Sequence, residues 1–451
     1  MFIQKIKSEG LSHLSWLVGN DGEAFVVDPR RDCEVYVEEA ARAGCRITHI
    51  FETHRNEDLI SGAPILANLT GARVLHGPNA AGDVAYADTA REGDTFEFGN
   101  LRVRVLETPG HTDDSLSFVI YDTDFGEDAV GVFTGDALFI GDVGRTDFYP
   151  DRAGEVAGML YDSLQKILKL GDQALVYPAH GAGSVCGDNM ADREFSSLGY
   201  ERKYNDMLRI SSRNKFIDAK LAEHHYQPPY FRLMEKLNLT GAEPAPRVVT
   251  PRPLSPAEFR ALPGEAAILD ARTVSAFLGA HLPGSLAIPA PMIPAFAGWY
   301  IEAGQPVGLV VSDPEQAHEA AQHLVRIGLD NLAGFLTTDM PEWSARGLPF
   351  HSLPVMHVDD IRERFQNPPE NWQLLDVRSK TEYEEEAIEG SVHIYAGELA
   401  DKTDELDKNR HYTVMCASGA RATIAASVLE RAGFSKVDVF LGSFGAWKST
   451  D

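Results

Sequence analysis

Basic residues are scarce in this chain. Its 451 residues include 41 Lys and Arg against 67 Asp and Glu, a formal net charge of −26. Such an excess of carboxylate repels phosphate backbones and excludes nucleic acid as a partner. A small anionic thiol stays admissible, because a local basic pocket can sit on an acidic surface. Long apolar runs are also missing. Nothing approaches the roughly 20 residues needed to span a bilayer, and the apolar stretch 287–301 carries Pro289, Pro291 and Pro294, so no membrane is expected as a partner. The N-terminus, MFIQKIKSEGLSHLSWLVGN, has no continuous apolar core of the secretory kind. Cysteine is rare, with four in the whole chain, too few for a disulfide framework. The expectation is a reducing, cytoplasmic setting in which each cysteine is either a core residue or a reagent.

What is present is the composition of a globular protein, 44% apolar and 24% charged, long enough for two to four domains. Residues 1–245 alternate strand-like and helical segments, an α/β pattern. LSWLVGNDGEAFVVDP predicts a hairpin turning at Asn20-Asp21-Gly22. Residues 34–43 predict a helix, and 47–52 a buried strand ending at Thr53-His54. Further strands are predicted at 101–106, 116–121, 130–134 and 174–177, and an amphipathic helix at 155–170. The proline-rich passage 241–256 reads as an extended linker, and 346–358 as a second break. Three domains result: 1–245, 246–350 and 351–451.

The last two domains repeat each other. ILDARTVSAFLGAHLPGS aligns with LLDVRSKTEYEEEAIEGS, so that Asp270, Arg272, Phe277 and Gly284 correspond to Asp376, Arg378, Tyr383 and Gly390 at a constant separation. Each repeat reads as an α/β domain around a small, largely parallel sheet.

In the first domain, residues able to bind a metal stand where apolar runs stop: His54 in ETHRNEDLISG, His111 in TPGHTDDS, Asp136 in FTGDALFIGDVGRTDF and His180 in VYPAHGAG. Layered α/β folds assemble their sites at such strand ends. The order of motifs resembles the metallo-β-lactamase superfamily, whose usual first motif is His-x-His-x-Asp-His. This chain reads His54-Arg55-Asn56-Glu57-Asp58-Leu59, with two of the three histidines replaced. The resemblance implies an αββα sandwich. In the dinuclear zinc hydrolases of that superfamily it also implies two metals bridged at the Asp136 position. Leu59 removes a ligand of the second metal, and Asn56 removes an imidazole from the first. His54, His111 and Asp136 survive. Two histidines and one carboxylate with open positions form the facial triad of non-haem Fe(II) oxygenases, whereas zinc in a three-histidine cage generates hydroxide.

In this respect residues 1–240 look like the persulfide dioxygenases of the superfamily, also through GDALFIGDVGRTDF, VYPAHGAGSVCG and SLGYERKYN. The resemblance implies one Fe(II) per chain on His54, His111 and Asp136. It also implies oxidation of a persulfide by O2 to sulfite, with glutathione, coenzyme A or a related thiol as carrier. His180 and Asp58 are expected beside the ligands, orienting them, with His180 alternatively a fourth ligand. Arg145 has two readings, a hold on the anionic substrate or a salt bridge to Asp147 in its own loop. Tyr177 is either a hydrogen-bond donor near the metal or a core residue.

Cys416 lies in YTVMCASGARATIAASVLERAGF, where a predicted strand runs through small residues into a helix. Successive backbone N–H groups there can form an anion nest, and the helix N-terminus and Arg421 add positive potential. Cys-x-x-Gly-x-Arg after Asp-x-Arg and Glu-Tyr, closing on GSFGAW, resembles the rhodanese family over 358–451. The resemblance makes Cys416 the nucleophile and Arg421 its cationic neighbour. In the middle repeat Val310 or Val311 takes the cysteine's place, and Glu315 or Gln316 the arginine's. That repeat is expected to be a rhodanese-like domain without catalysis. Cys186 in GAGSVCG either relays sulfur near the metal mouth or is a packed loop residue, while Cys33 and Cys45, flanking a helix, are expected to be structural. The whole order resembles bacterial persulfide dioxygenase–sulfurtransferase fusions. That implies sulfide detoxification, sulfite and thiosulfate as reactants, and a homo-oligomer. Two rivals stand beside it: a zinc-dependent, glyoxalase II-like thioester hydrolase, and a sulfur carrier in which only Cys416 works.

Overall fold

The computed structural model describes the chain except residues 79–81, 185–186, 188–189, 243–250, 338–339 and 450–451. It divides into two units, Met1–Arg247 with Arg326–Gly328, and Val248–Val325 with Leu329–Asp451. No helix of the described residues is long and apolar enough to cross a membrane.

In the first unit two six-stranded sheets face each other. One has the order Phe2–Ser8, His13–Asn20, Glu23–Val27, Arg46–Phe51, Arg73–His76, Asp88–Thr89. The other has the order Ser196–Ser197, Leu175–Pro178, Ala129–Gly135, Leu116–Asp122, Leu101–Glu107, Thr95–Phe98. Period-two alternation builds the inner layer. In Leu101–Glu107, Leu101, Val103 and Val105 are buried while Arg102 and Arg104 are exposed. They join Val18, Phe25, Phe51, Phe118 and Phe133 between the sheets, where truncating one ring costs about 3–5 kcal/mol. Helices cover both outer faces. Tyr36, Ala40 and Leu66 pack on Val26 and Ile50, and Leu160, Leu164 and Phe216 on Val119 and Val132. The expected αββα sandwich is the fold observed. Its first hairpin turns on Asp21 (φ 49°) and Gly22 (φ 81°), the paired left-handed conformation that matches strand twist.

The second unit holds two parallel sheets. Their orders are Leu286–Ala287, Ala267–Asp270, Val307–Val311, Leu332–Thr337, and Val355–Met356, Val437–Phe440, His411–Met415, Trp372–Asp376, Val392–His393. Apart from the added Val355–Met356 edge, one order is the other read in reverse, so the sequence repeat is also a repeat of topology. Its ion pair recurs too. Arg272 grips Asp270 and donates to the Ala280 carbonyl, and Arg378 grips Asp376 and donates to the Glu386 carbonyl.

Register settles which valine corresponds to the cysteine. Val310 stands opposite Asp270, as Met415 stands opposite Asp376, so Val311 is the counterpart of Cys416. Continuing along both loops, Pro314 matches Gly419 and Gln316 matches Arg421. Gln316 bends back to accept from Ser312 N, and its own N–H donates to Asp313.

The proline-rich passage departs from the linker reading at its end, while 243–250 lie outside the described residues. Arg252 O accepts from Phe335 N at 2.9 Å and Leu254 N donates to Phe335 O at 2.7 Å, adding an edge to Leu332–Thr337. Pro253, having no N–H, sits harmlessly between those two bonds. The second break likewise contains the Val355–Met356 edge and a backbone bridge from His351 to His281. Prolines erased the periodicity there but left the extended backbone intact.

Candidate functional site

Three strand ends of the first unit converge. His54 follows Arg46–Phe51, His111 lies between Leu101–Glu107 and Leu116–Asp122, and Asp136 follows Ala129–Gly135. Their ligand atoms lie within 4.8 Å of one another. Nε2 of His54 is 3.8 Å and Nε2 of His111 3.5 Å from Asp136 Oδ2. Exposure is 1%, 0% and 2% respectively, and neither Nε2 has a hydrogen-bond partner. Buried polar atoms without partners are costly, and the trio could hold a metal ion. Gly144 makes the approach possible, because a Cβ there would sit 2.0 Å from the Asp136 carbonyl oxygen.

Neighbouring groups set the tautomers. His111 Nδ1 faces the Arg145 carbonyl at 3.0 Å. A carbonyl only accepts, so Nδ1 carries the proton and Nε2 a lone pair. His54 Nδ1 is 2.9 Å from Thr53 Oγ1, which donates to Asp28 Oδ2 at 2.8 Å. With Asp28 ionised, His54 again keeps its Nε2 lone pair. Burial pushes the Asp28 carboxyl up to about 7, although both Thr53 hydrogen bonds pull it down. Burial would raise Asp136 too, but His180, His54 and His111 hold it well below the usual carboxylate range.

His180 is placed between carboxylates, with Nδ1 2.8 Å from Asp136 Oδ1 and Nε2 3.0 Å from Asp58 Oδ2. Asp58, His180 and Asp136 thus contact one another in a row. Among the described residues they form no second metal-ready group, and Leu59, 1% exposed, is a core residue. Sequence reasoning missed Glu57. Its buried Oε2 lies 3.5 Å from His111 Nε2 and 3.9 Å from His54 Nε2, and it raises the His111 pKa against the lowering effect of burial. Also missed was Asn238, which donates to the Asn56 and Leu59 carbonyls and accepts from Ser61 N, clamping the motif loop.

For two residues the sequence left alternatives open. The Arg145 guanidinium is buried on Asp147, with two bonds of 2.6 Å, and on the Tyr226 carbonyl. Its side chain therefore forms the loop salt bridge, and its backbone carbonyl is what reaches His111 of the candidate trio. Tyr177 stacks on Phe133 (4.9 Å) and meets Trp16 edge-on (4.9 Å) in the inter-sheet core. Cys186 lies outside the described residues.

In the second unit Cys416 is buried directly after His411–Met415. Gly419 N–H donates to its Sγ at 3.1 Å, and its own N–H donates to Ser443 Oγ. Gly419 has φ 116°, which turns that N–H inward at the start of the helix Ala420–Arg431. The GSFGAW segment returns N–H bonds from Gly442, Phe444 and Gly445 to the carbonyls of Ser418, Cys416 and Ala417. Arg421 is engaged by Glu382 in a bidentate pair of 2.6 and 2.7 Å. Against the raising effect of burial, Arg421 and the Ser379 cap hold Glu382 at about 2. Glu382 is the glutamate of the Glu-Tyr pair in the rhodanese pattern, but no role or partner follows for it from the sequence alone. Its position three residues after Ser379 was the available signal.

Comparison with known proteins places both regions. Residues 9–180 match the metallo-beta-lactamase superfamily and residues 358–450 the rhodanese-like domain. A hydroxyacylglutathione hydrolase from Tolumonas auensis is 32% identical over 181 residues, 40% of this chain and 64% of its own length, so the chain spans just under two thirds of that relative. The mitochondrial persulfide dioxygenase ETHE1 of Bos taurus is 30% identical over 224 residues, 48% of this chain and 73% of that protein. The crystal structure of a metallo-beta-lactamase from Staphylococcus aureus subsp. aureus COL matches with a TM-score of 0.68 and 30% identity, covering 74% of this chain and 98% of that one. The chain therefore belongs to the metallo-beta-lactamase superfamily and carries a rhodanese-like domain over residues 358–450.

Proposed function

We propose that the chain joins two sulfur chemistries, the oxidation of a low-molecular-weight persulfide by O2 in residues 1–245 and sulfur transfer through Cys416 in residues 351–451. Residues 246–350 act as a rhodanese-like repeat without a nucleophile. The observation that carries the reading is the single His54–His111–Asp136 trio, left alone because Leu59 occupies the place of a second-metal ligand. Two imidazoles and one carboxylate suit one Fe(II), and the ETHE1 relatives supply the substrate class.

A ferrous ion on these residues would supply the redox coupling between O2 and sulfur. The chain's own groups do the rest. Asp28 and Thr53 fix the His54 ring, and the Arg145 carbonyl fixes that of His111. Phe148 against His111 and Phe139 against His180 give the site apolar walls, which exclude water and strengthen charge interactions within. Overall, R–S–SH, O2 and H2O give R–SH and sulfite with its two protons. In the transfer step the Cys416 thiolate attacks a sulfane sulfur and releases R–S⁻. Sulfite then takes the outer sulfur as thiosulfate, restoring the thiolate, with the Gly419 N–H donated to Sγ throughout.

The similarity to hydroxyacylglutathione hydrolases favours a second reading, zinc-dependent thioester hydrolysis. Metal content measured alongside O2 uptake over glutathione, coenzyme A and bacillithiol persulfides separates the two. One iron with persulfide-dependent O2 uptake is expected; a zinc pair with full thioester cleavage under anaerobic conditions overturns the reading. Asp136→Ala is expected to abolish O2 uptake and spare sulfur transfer, and Cys416→Ser to do the opposite.

A further inference from the structure

A second group of metal-ligand type lies in the second unit and belongs to neither chemistry above. His281, His351 and Glu430 bring one ligand atom each to within 4.8 Å of one another. His281 comes from the HLPGS segment of the middle repeat, His351 from the passage joining the repeats, and Glu430 from the last turn of the helix Ala420–Arg431. We propose that these three residues bind a divalent transition-metal ion of the zinc class, which fastens the two repeats to each other.

The backbone places the histidines before any metal does. His281 and His351 exchange both backbone hydrogen bonds at 2.9 Å, as an antiparallel bridge. The His281 ring lies flat on Phe277, with centroids 3.9 Å apart and 4° between planes, and its Nδ1 is 2.8 Å from the Phe277 carbonyl. A carbonyl only accepts, so that nitrogen holds the proton. Nε2 of the same ring faces Glu430 Oε2 at 2.9 Å. Two acceptors at that distance need a cation between them. A proton satisfies this one contact; a metal also engages His351, whose Nδ1 is 3.6 Å from the other Glu430 oxygen. Ligand atoms on a tetrahedral zinc stand about 3.3 Å apart, a spacing that three atoms within 4.8 Å of one another reach by small side-chain rotations. Imidazole Nδ1–H on a backbone carbonyl is also the usual support of a metal-binding histidine.

Two further observations point the same way. Glu430 sits at a helix C-terminus, where a carboxylate opposes the helix dipole and a cation offsets it. His281 is not demanded by the fold of the repeat. Arg272 and Arg378 reach the carbonyls of Ala280 and Glu386, so the counterpart of His281 in the second repeat is Ala387. His351 and Glu430 line a cleft of about 960 Å³, and the His351 side chain is 56% exposed, so an ion has a route in and water can complete its coordination.

The test uses the full chain, stripped by chelator and titrated with Zn²⁺ against a chromophoric competitor. His54→Ala with Asp136→Ala disables the first centre, so the outcome is independent of the function proposed for it. This chain is expected to keep one zinc with a Kd below about 1 μM. Adding His351→Ala or Glu430→Gln is expected to weaken that binding at least about 30-fold. If the doubly substituted background folds poorly by circular dichroism, the otherwise unchanged chain serves: His351→Ala, at an exposed position, is expected to lower its zinc content by one equivalent. Absence of the tight equivalent, or its survival in both His351→Ala and Glu430→Gln, overturns the proposal.

Discussion

Replacing Thr53 with valine isolates the support beneath the metal trio. The Thr53 hydroxyl donates to Asp28 Oδ2 at 2.8 Å and accepts from His54 Nδ1 at 2.9 Å. Valine has nearly the same volume, so no cavity opens. A buried carboxylate oxygen and a buried imidazole N–H both lose their partner. Each such orphan costs about 1–3 kcal/mol, although the Thr53 backbone N–H still holds Asp28 Oδ1 at 2.7 Å. The apo chain should therefore lose about 2–6 kcal/mol of stability. His54 also becomes free to carry its proton on Nε2, the atom that faces His111 and Asp136. Loss of such an orienting partner lowers metal affinity about 10–100-fold. Competition with a chelator for Fe(II) or Co(II) reads the affinity, and thermal unfolding of the stripped chain reads the stability. Thr53→Ser keeps the hydroxyl and should bind metal within about threefold of the parent. Wild-type affinity in the valine chain, or equal weakness in the serine chain, would refute the tautomer argument.

Glu57→Gln should weaken metal binding about tenfold, since its oxygen faces both imidazole lone pairs; the same chelator competition measures it. Gly144→Ala should destabilise the chain by more than about 2 kcal/mol, read from urea midpoints, because a Cβ 2.0 Å from the Asp136 carbonyl forces that loop apart. Glu382 gives a pH signature. Its folded pKa of about 2 lies below the ordinary 4.5, so its stabilisation is complete above pH 4.5 and disappears as pH falls through 2. Glu382→Gln should cost about 1 kcal/mol at pH 7 after solvent screening of a side chain 34% exposed, and the gap to wild type should close toward pH 2.

The sandwich was legible because its strands alternate and its turns carry their own residues, as in Asn20-Asp21-Gly22. His54, His111 and Asp136 stood out in the sequence by following apolar runs, and the fold brings their ligand atoms within 4.8 Å of one another. Their supports did not stand out. Asp28 meets Thr53 from 25 residues away and Asn238 meets Asn56 from 182, and no local pattern encodes such pairs. Glu57 was passed over because the motif draws attention to the replaced histidines on either side of it. For Arg145 the sequence posed both alternatives, and burial selected the loop ion pair. The edge at Arg252–Leu254 was hidden by prolines, which remove periodicity without preventing parallel pairing at flanking residues.

The register of the two small sheets has a consequence for what the middle repeat would need in order to carry the chemistry proposed for Cys416. Where one repeat has its thiol, the other has Val311. Where the first turns a glycine N–H onto sulfur, the second has Pro314, which owns no N–H and cannot adopt that glycine's φ. Where the first has Arg421, the second has a glutamine folded back on its own loop. A cysteine placed at Val311 alone would lack the counterparts of the Gly419 N–H and of Arg421. Giving this loop the chemistry proposed for Cys416 would take three coordinated substitutions, Val311→Cys, Pro314→Gly and Gln316→Arg, none sufficient by itself.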